Sequence, residues 1–107
     1  MREIDPRELA AHRAAGRAVR LIDVREPWEH AIAALPDSEL MPLGQLASRA
    51  PDLAIDDATL VVTYCHHGVR SASAAAMLER SGVRDVASLR GGIDAWSREI
   101  DPRIPQY

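Results

Sequence analysis

The chain contains a single cysteine, Cys65, in the segment YCHHGVRS, where a glycine follows three residues later and an arginine five residues later. A thiolate is a good nucleophile that forms covalent intermediates, so a thiol beside a flexible residue and a fixed cation indicates group transfer through sulfur. One cysteine cannot form an intramolecular disulfide. Cys65 is therefore an inert buried thiol, an intermolecular partner or a reactive group in a reducing compartment.

The residues on either side of Cys65 predict a strand followed by a helix. Residues 59–64 are a continuous run typical of a strand that is covered on both faces, which we expect at the centre of a sheet. The alanine-rich residues 71–81 are typical of a helix. Ligands of open α/β sheets bind beyond the carboxyl ends of the strands, which is where Cys65 falls.

Residues 66–70 connect this strand to this helix. If they curl into a semicircle, their N–H groups form a nest for an anion at the positive end of the helix dipole. Gly68 permits a positive φ angle on that curve. Arg70 adds positive charge, and so do His66 and His67 when they are protonated. Together these features favour the cysteine thiolate over the thiol.

The rest of the chain alternates between short strands and helices. A capping box at residues 5–8 and the glycine at Gly16 predict the start and the end of a first helix. The pattern then predicts a strand at 19–24, a helical turn at 26–30, an extended segment at 38–41, a helix at 43–50, a strand at 83–89 and a helix at 93–99. In the helix at 71–81, we expect Ala72, Ala75 and Ala76 to lie against the sheet.

This alternation predicts an α/β fold with an open, mostly parallel sheet and helices on both faces. The length of 107 residues and the hydrophobic content of 47% suit one domain, residues 1–107. A net charge of −3 with both signs scattered leaves no basic stripe for nucleic acid. No segment approaches the roughly 18 apolar residues of a membrane span, so we expect no membrane contact and a cytoplasmic protein.

Two absences in the sequence exclude further classes of site. All 13 basic residues other than histidine are arginine, which excludes lysine Schiff-base chemistry and a Walker-type phosphate loop. The lack of lysine and asparagine is typical of a G+C-rich bacterial genome. His12 and His30 are remote from Cys65 in sequence, and no ligand-spacing motif joins them, so no metal site is predicted.

Three motifs together resemble the rhodanese-like family of single-domain sulfurtransferases. They are LIDVREPWE at 21–29, YCHHGVRS at 64–71 and LRGGIDAW at 89–96, and the resemblance covers nearly the whole chain. The resemblance implies a rhodanese-like sheet of about five strands. At 33–38, this chain has AALPDS where the family usually has GHIPGA. Asp23, Arg25 and Trp96 are interpreted as scaffold residues: a strand-end carboxylate, its local ion partner and a core aromatic.

The same resemblance implies a reaction. Cys65 would attack the outer sulfur of a small anionic donor such as thiosulfate, carry it as a persulfide, and deliver it to cyanide or to a thiol, either on a protein or of low molecular weight. The residues implied to bind the transferred sulfur are His66, His67, Gly68, Val69 and Arg70. Arg70 would orient the anionic donor. No cofactor is needed.

One competing function is a cysteine-dependent phosphatase or arsenate reductase, which also places cysteine and arginine on a loop before a helix. Such loops have five residues between the two, whereas four separate Cys65 from Arg70. Removing one residue shortens the perimeter by up to about 3.5 Å, which suits a sulfur atom better than a phosphoryl group. Ser71, directly after the arginine, favours the phosphatase.

A second competing function is a module that senses sulfide stress through Cys65 or docks a partner without significant turnover. Rhodanese-like domains that lack the cysteine serve such uses, but this chain retains it.

Overall fold

The computed structural model describes residues 2–107, which contain one five-stranded sheet. In chain order, the elements are β1 (Arg2–Ile4), α1 (Pro6–Ala14), β2 (Val19–Asp23), α2 (Pro27–Ile32), β3 (Ser38–Leu40), α3 (Leu43–Arg49), a 3-10 turn (Ala50–Asp52), β4 (Leu60–Tyr64), α4 (Val69–Arg80), β5 (Val86–Leu89) and α5 (Gly92–Glu99). The strand order is β1-β5-β4-β2-β3, and every pairing is parallel. The open parallel α/β fold predicted from the sequence is confirmed.

β4 is the central strand of the sheet, as predicted. It pairs with β2 on one side and with β5 on the other, and all five of its residues are buried. Its one polar residue, Thr63, donates its hydroxyl hydrogen to the carbonyl oxygen of Ser71 at 2.8 Å. This bond joins the end of β4 to the start of α4. Cys65, which directly follows β4, therefore lies at the carboxyl edge of the sheet.

Helices cover both faces of the sheet. α1 and α5 contribute Leu9 and Trp96 to one buried cluster. α3 and α4 contribute Leu46 and Leu78 to the other. The sheet is thus apolar on both sides, which explains the continuous hydrophobic run of β4. Among the described residues, no helix is long and apolar enough to cross a membrane.

α4 begins at Val69, two residues before the predicted start. Its buried residues are Ser71, Ala74, Ala75 and Leu78. The expectation for Ala75 was therefore right, whereas Ala72 and Ala76 are only partly buried. A helix places residues three and four apart on one face, so the face centred on Ala75 includes positions 71, 74 and 78 rather than 72 and 76.

The edge strand β1 was missing from the predicted elements. Its three residues are too few to show the alternation that marks a strand. The strand forms by pairing with β5, in which Arg2 lies opposite Ala87, eighty-five residues later in the chain. The helix after it follows the prediction closely. Asp5 and Glu8 form the capping box, because each side chain accepts a hydrogen bond from the other residue's backbone N–H.

The turn after β2 contains a buried ion pair. Arg25 donates from Nε and Nη2 to the Asp23 carboxylate at 2.8 and 2.7 Å, and both side chains are fully buried. Burial lowers the pKa of Arg25, but the hydrogen bonds to Asp23 and Tyr107 outweigh it and raise that pKa. Arg25 also donates to the carbonyl oxygen of Ala33 at 2.6 Å, so the pair fixes the chain beyond α2. The interpretation of Asp23 and Arg25 as scaffold residues fits these contacts.

The segment at 33–38, which departs from the usual family sequence, is anchored to β4. The hydroxyl group of Tyr64 accepts the backbone N–H of Leu35 at 3.1 Å and lies 2.8 Å from the hydroxyl oxygen of Ser38. Asp37 has a φ angle of +62°, a conformation that aspartate tolerates better than most residues. The aspartate therefore adopts a positive φ angle at a position where the family usually has glycine.

Candidate active site

Cys65 lies directly after β4 and faces the start of α4. Its Sγ accepts the backbone N–H of Gly68 at 3.1 Å and that of Ser71 at 3.4 Å. The hydroxyl oxygen of Ser71 lies 3.5 Å from Sγ, within reach of a weak S–H donor. Two N–H donors and the positive end of a 12-residue helix therefore meet at this sulfur.

Gly68 makes the sharp turn between β4 and α4. It is the residue before the helix and has a φ angle of +113°, a conformation that L-residues rarely adopt. A Cβ atom there would lie 3.4 Å from the backbone nitrogen of Gly91, so little room is left as well. The expectation of a positive φ at Gly68 is confirmed.

The glycine pair at the start of α5, residues 91 and 92, allows this helix to lie against the cysteine loop. Ile93 donates its backbone N–H to the carbonyl oxygen of Cys65 at 2.9 Å, and Asp94 donates to that of His66 at 3.2 Å. Gly92 has a φ angle of +62°, and a Cβ atom there would overlap both carbonyl oxygens. These two hydrogen bonds join residues that are 28 apart in the chain and have no local signature in the sequence.

Arg70 is held by a carboxylate that the sequence interpretation did not include. Its Nη1 and Nη2 donate to the two carboxylate oxygens of Glu29 at 2.6 and 2.9 Å. The hydrogen bond from Arg70 lowers the pKa of Glu29 to about 2, with further contributions from Tyr107 and the Glu26 backbone. Glu29 lies inside the motif at 21–29, so its presence was visible but its partner, 41 residues away, was not.

Tyr107 reaches the same carboxylate from the far end of the chain. Its hydroxyl group donates to Glu29 at 2.7 Å and accepts from Nη1 of Arg25 at 2.6 Å. Burial is the main cause that raises the pKa of Tyr107, to about 12. No pattern in the sequence indicated this long-range contact.

The two loop histidines stack on each other, and His66 also stacks on the ring of Tyr107, in both cases with ring centroids 3.9 Å apart. Burial and then the neighbouring His67 lower the pKa of His66 from its ordinary 6.5. His66 is therefore mainly uncharged at neutral pH, so it adds little of the positive charge that its protonated form would bring to the loop. Within residues 2–107, its Nε2 atom is buried without a hydrogen-bond partner.

One group of metal-binding atoms occurs near the loop. His66, His67 and Asp94 offer ligand atoms that lie within 4.8 Å of one another, a set different from the remote histidines considered in the sequence. The Asp94 carboxylate already accepts from Nη2 of Arg98 at 2.8 Å. Since the one carboxylate in the group is paired with a fixed cation, the group offers little charge for holding a metal ion.

The outer rim beside the Arg70 and Glu29 pair is apolar. Val69 is 79% exposed and Trp28 is 61% exposed, and each directly precedes one member of the ion pair. Val69, which was expected to bind the transferred sulfur, can do so only through its backbone, because its side chain faces solvent. Of the predicted loop residues, Gly68 contacts Sγ directly through its backbone N–H, whereas the Arg70 side chain is paired with Glu29 and the two histidine rings stack on each other.

A family model of the rhodanese-like domain matches residues 5–99. This chain belongs to the rhodanese-like domain family. It is 38% identical over 102 residues to a sulfurtransferase of Allochromatium vinosum, covering 95% of this chain and 94% of that protein. It is 36% identical over 104 residues to the probable adenylyltransferase/sulfurtransferase MoeZ of Mycobacterium tuberculosis, covering 97% of this chain but only 26% of that longer protein.

A solved structure supports the same assignment of the fold. The crystal structure of a rhodanese-related protein from Thermoplasma volcanium superposes with a TM-score of 0.83 at 26% identity, covering 100% of both chains. The family resemblance inferred from the three motifs is therefore confirmed, together with its five-stranded sheet.

Proposed function

We propose that this protein is a sulfurtransferase that carries sulfane sulfur as a persulfide on Cys65. The donor is thiosulfate or a related sulfane compound, and the acceptor is cyanide or a thiol, on a protein or of low molecular weight. Its sulfurtransferase relatives support the reaction class. We further propose that residues 1–107 act as one domain and that the protein works in the reducing cytoplasm, where a lone thiol stays free.

The observation that carries the proposal is the pair of backbone N–H groups on Sγ of Cys65, from Gly68 and Ser71. Donors placed this way stabilise negative charge on a sulfur atom without reorganising during the reaction. A thiolate is the attacking form of cysteine, and a persulfide leaves negative charge on sulfur beside the same donors. The loop therefore suits both states of the carrier.

The proposed reaction has two displacements. The Cys65 thiolate attacks the outer sulfur of thiosulfate, the S–S bond of the donor breaks, and sulfite leaves with the bonding electrons. A thiolate or cyanide then attacks the terminal sulfur of the persulfide and releases the Cys65 thiolate. No redox partner or cofactor enters this balance, because every electron pair moves within the reacting sulfur atoms.

The residues assigned to the transferred sulfur are His66, His67, Gly68, Val69 and Arg70, acting mainly through their backbone. Four residues between cysteine and arginine make a ring smaller than that of a phosphatase, by up to about 3.5 Å of perimeter. A single sulfur fits such a ring more readily than three phosphoryl oxygens.

The proposal is tested by the intact mass of the protein after incubation with thiosulfate. We expect a gain of one sulfur atom, reversal by cyanide or a thiol, and no gain in Cys65→Ser. Ser97→Ala is a suitable control variant, because Ser97 is a buried serine whose hydroxyl group donates to the backbone carbonyl oxygen of Ile104, outside the cysteine loop. Absence of the adduct with thiosulfate and with organic persulfides would contradict the proposal.

A phosphatase remains the second candidate, because Ser71 directly follows Arg70, as in phosphatase loops, and its hydroxyl oxygen lies 3.5 Å from Sγ. Hydrolysis of an aryl phosphate separates the two functions. We expect negligible hydrolysis, since the loop is one residue short. Efficient hydrolysis without a thiosulfate-dependent adduct would favour the phosphatase.

A docking or sensing module is the third candidate, and the exposed rim residues Trp28 and Val69 favour it. Such a module needs the persulfide but not rapid turnover. Multiple-turnover transfer of sulfur to a thiol acceptor would favour the enzyme. A Cys65 persulfide from which no acceptor removes the sulfur would favour the sensor.

A further inference from the structure

Glu29 neutralises the one fixed cation of the cysteine loop. We propose that Glu29 is a specificity-determining residue that makes the site prefer organic persulfides, which leave as thiolates, over dianionic donors such as thiosulfate. This inference rests on the proposed sulfur transfer and narrows its donor class. It also includes Tyr107 as a positioning residue that keeps Glu29 in place.

The Glu29 carboxylate is held as an anion by four donors. Two come from Arg70, one from the hydroxyl group of Tyr107 at 2.7 Å, and one from the backbone N–H of Glu26 at 3.1 Å. Its side chain is only 4% exposed. A buried carboxylate with this many donors cannot rotate to solvent without leaving donors unpaired, so its charge is a fixed property of the site.

Arg70 is correspondingly occupied. Both of its terminal nitrogens are committed to Glu29, although 36% of its side chain is exposed. A sulfonate group that took the same two nitrogens would have to displace the carboxylate and leave it buried without its main partner. Arg70 can therefore contact a sulfur-donor molecule only through the N–H groups that do not face Glu29. Its positive charge is also largely cancelled by the carboxylate.

Within residues 2–107, the other arginine of this network is already paired. Arg25, the other arginine next to Tyr107, is fully buried in its own pair with Asp23. His66 is mainly uncharged at neutral pH because burial lowers its pKa. A donor with two negative charges thus meets a site whose positive potential comes mainly from backbone N–H groups, and the second charge is poorly compensated.

An organic persulfide fits this site better on two counts. It carries one negative charge at the reacting sulfurs, which the N–H groups from Gly68 and Ser71 can hold. Its carbon chain can also contact the exposed apolar rim of Trp28 and Val69. The reaction balances as before: the thiolate of Cys65 takes the outer sulfur, the donor S–S bond breaks, and a thiolate leaves with the electron pair.

Tyr107 lies outside the part of the chain that the family model matches, which ends at residue 99. It fixes the carboxylate by donating to it, and its ring packs on His66 at the loop. The selectivity is therefore set partly by a residue that family membership alone does not supply. Removing only its hydroxyl group should loosen Glu29 while keeping the ring contact.

The experiment compares kcat/KM for thiosulfate with kcat/KM for an alkyl persulfide whose carbon chain carries no charge, measured on the same preparation of each variant. The ratio cancels differences in the fraction of folded protein. In Glu29→Gln, we expect the ratio of thiosulfate to persulfide to rise roughly tenfold, mainly through a lower KM for thiosulfate. In Tyr107→Phe, we expect a smaller rise in the same direction. Both rises should shrink at high ionic strength.

Glu39→Gln is the matched control. The carboxylate of Glu39 also accepts two hydrogen bonds from one arginine, from Nε and Nη2 of Arg20, at 2.6 and 2.9 Å. Arg20 is level with Val61, four residues before Cys65, which is about 13 Å along the strand. This variant removes an equal charge away from the loop, so its ratio should match that of the unmodified protein.

Two results would overturn the inference, and they are distinguishable. An unchanged or lower ratio in Glu29→Gln, with transfer still measurable, would show that Glu29 only supports the structure and would reject the selectivity alone. Absence of a persulfide from either donor in the unmodified protein would reject the proposed sulfur transfer and the selectivity with it.

Discussion

Arg25 and Arg70 both form two-pronged pairs with a carboxylate, and the hydroxyl group of Tyr107 joins the two pairs. The pair of Arg25 and Asp23 is fully buried, with no exposed surface on either side chain. In the other pair, Glu29 is 4% exposed but Arg70 is 36% exposed. Two pairs of the same chemistry therefore differ in access to solvent.

The difference assigns them different tasks. A fully buried pair cannot meet a substrate, so the Arg25 side chain can only fix the turn after β2 and the segment beyond α2. The half-open pair lies at the end of the cysteine loop, where Arg70 is the last residue before Ser71 and its contact with Sγ. The buried pair should thus govern stability, and the open pair should govern transfer.

The largest expected effect is on stability, from Asp23→Asn. This change leaves the Arg25 guanidinium buried without its counter-charge, which should lower the free energy of unfolding by about 3 kcal/mol. Urea unfolding of the purified protein measures it. Glu39→Gln, in the exposed pair with Arg20, is the control and should cost less than about 1 kcal/mol. Equal losses in the two variants would contradict the distinction between buried and exposed pairs.

Arg70→Ala should have a smaller effect on stability and a larger one on the reaction. Because the Arg70 side chain is 36% exposed whereas Glu29 is buried, we expect a loss in the free energy of unfolding between those of a surface pair and a buried pair, about 2 kcal/mol. Transfer from thiosulfate should slow more than transfer from an alkyl persulfide, since the Glu29 carboxylate then faces the donor without its cation. Steady-state rates with the two donors measure this. Equal slowing for both would remove any role of this pair in donor recognition.

The smallest effect is a dependence of stability on acid. The folded pKa of Glu29 is about 2, below its ordinary 4.5, so its pair stabilises the fold above pH 4.5 and loses that contribution as the pH falls through 2. The difference in unfolding free energy between the unmodified protein and Glu29→Gln should therefore shrink between those values. Unfolding curves at several pH values measure it, with Glu99→Gln, at an exposed position, as the control. A constant difference would show that the carboxylate is not held by Arg70 in solution.

The sequence was sufficient for most of the fold because strands and helices have local patterns. The buried run of β4, the capping box of α1 and the alanine-rich α4 all appear within a dozen neighbouring residues. β1 was missed because three residues are too few to show the two-residue alternation of a strand. The sheet-facing side of α4 was partly misplaced because alanines occur at 72, 74, 75 and 76, all round the helix, and do not by themselves mark the buried face.

The part of the site that is contiguous in sequence was also predictable, because its residues are near neighbours in the chain. Cys65 and the loop around it are contiguous, so their chemistry could be inferred from spacing. The network around Arg70 could not, since its partner Glu29 lies 41 residues before it, and Tyr107, which donates to Glu29, lies 37 residues after it. Likewise, the mainly uncharged state of His66 follows from burial against Tyr107 and His67, which the sequence does not reveal.

The central claim is that Cys65 carries the outer sulfur of the donor to the acceptor, and labelled thiosulfate tests it most directly. Thiosulfate labelled at the outer sulfur and thiosulfate labelled at the inner sulfur are supplied in parallel reactions, with cyanide as the acceptor. We expect the outer label on the Cys65 peptide and then in thiocyanate, the inner label in sulfite, and neither product in Cys65→Ser. Inner label on the peptide, or labelled thiocyanate formed by Cys65→Ser, would contradict the account.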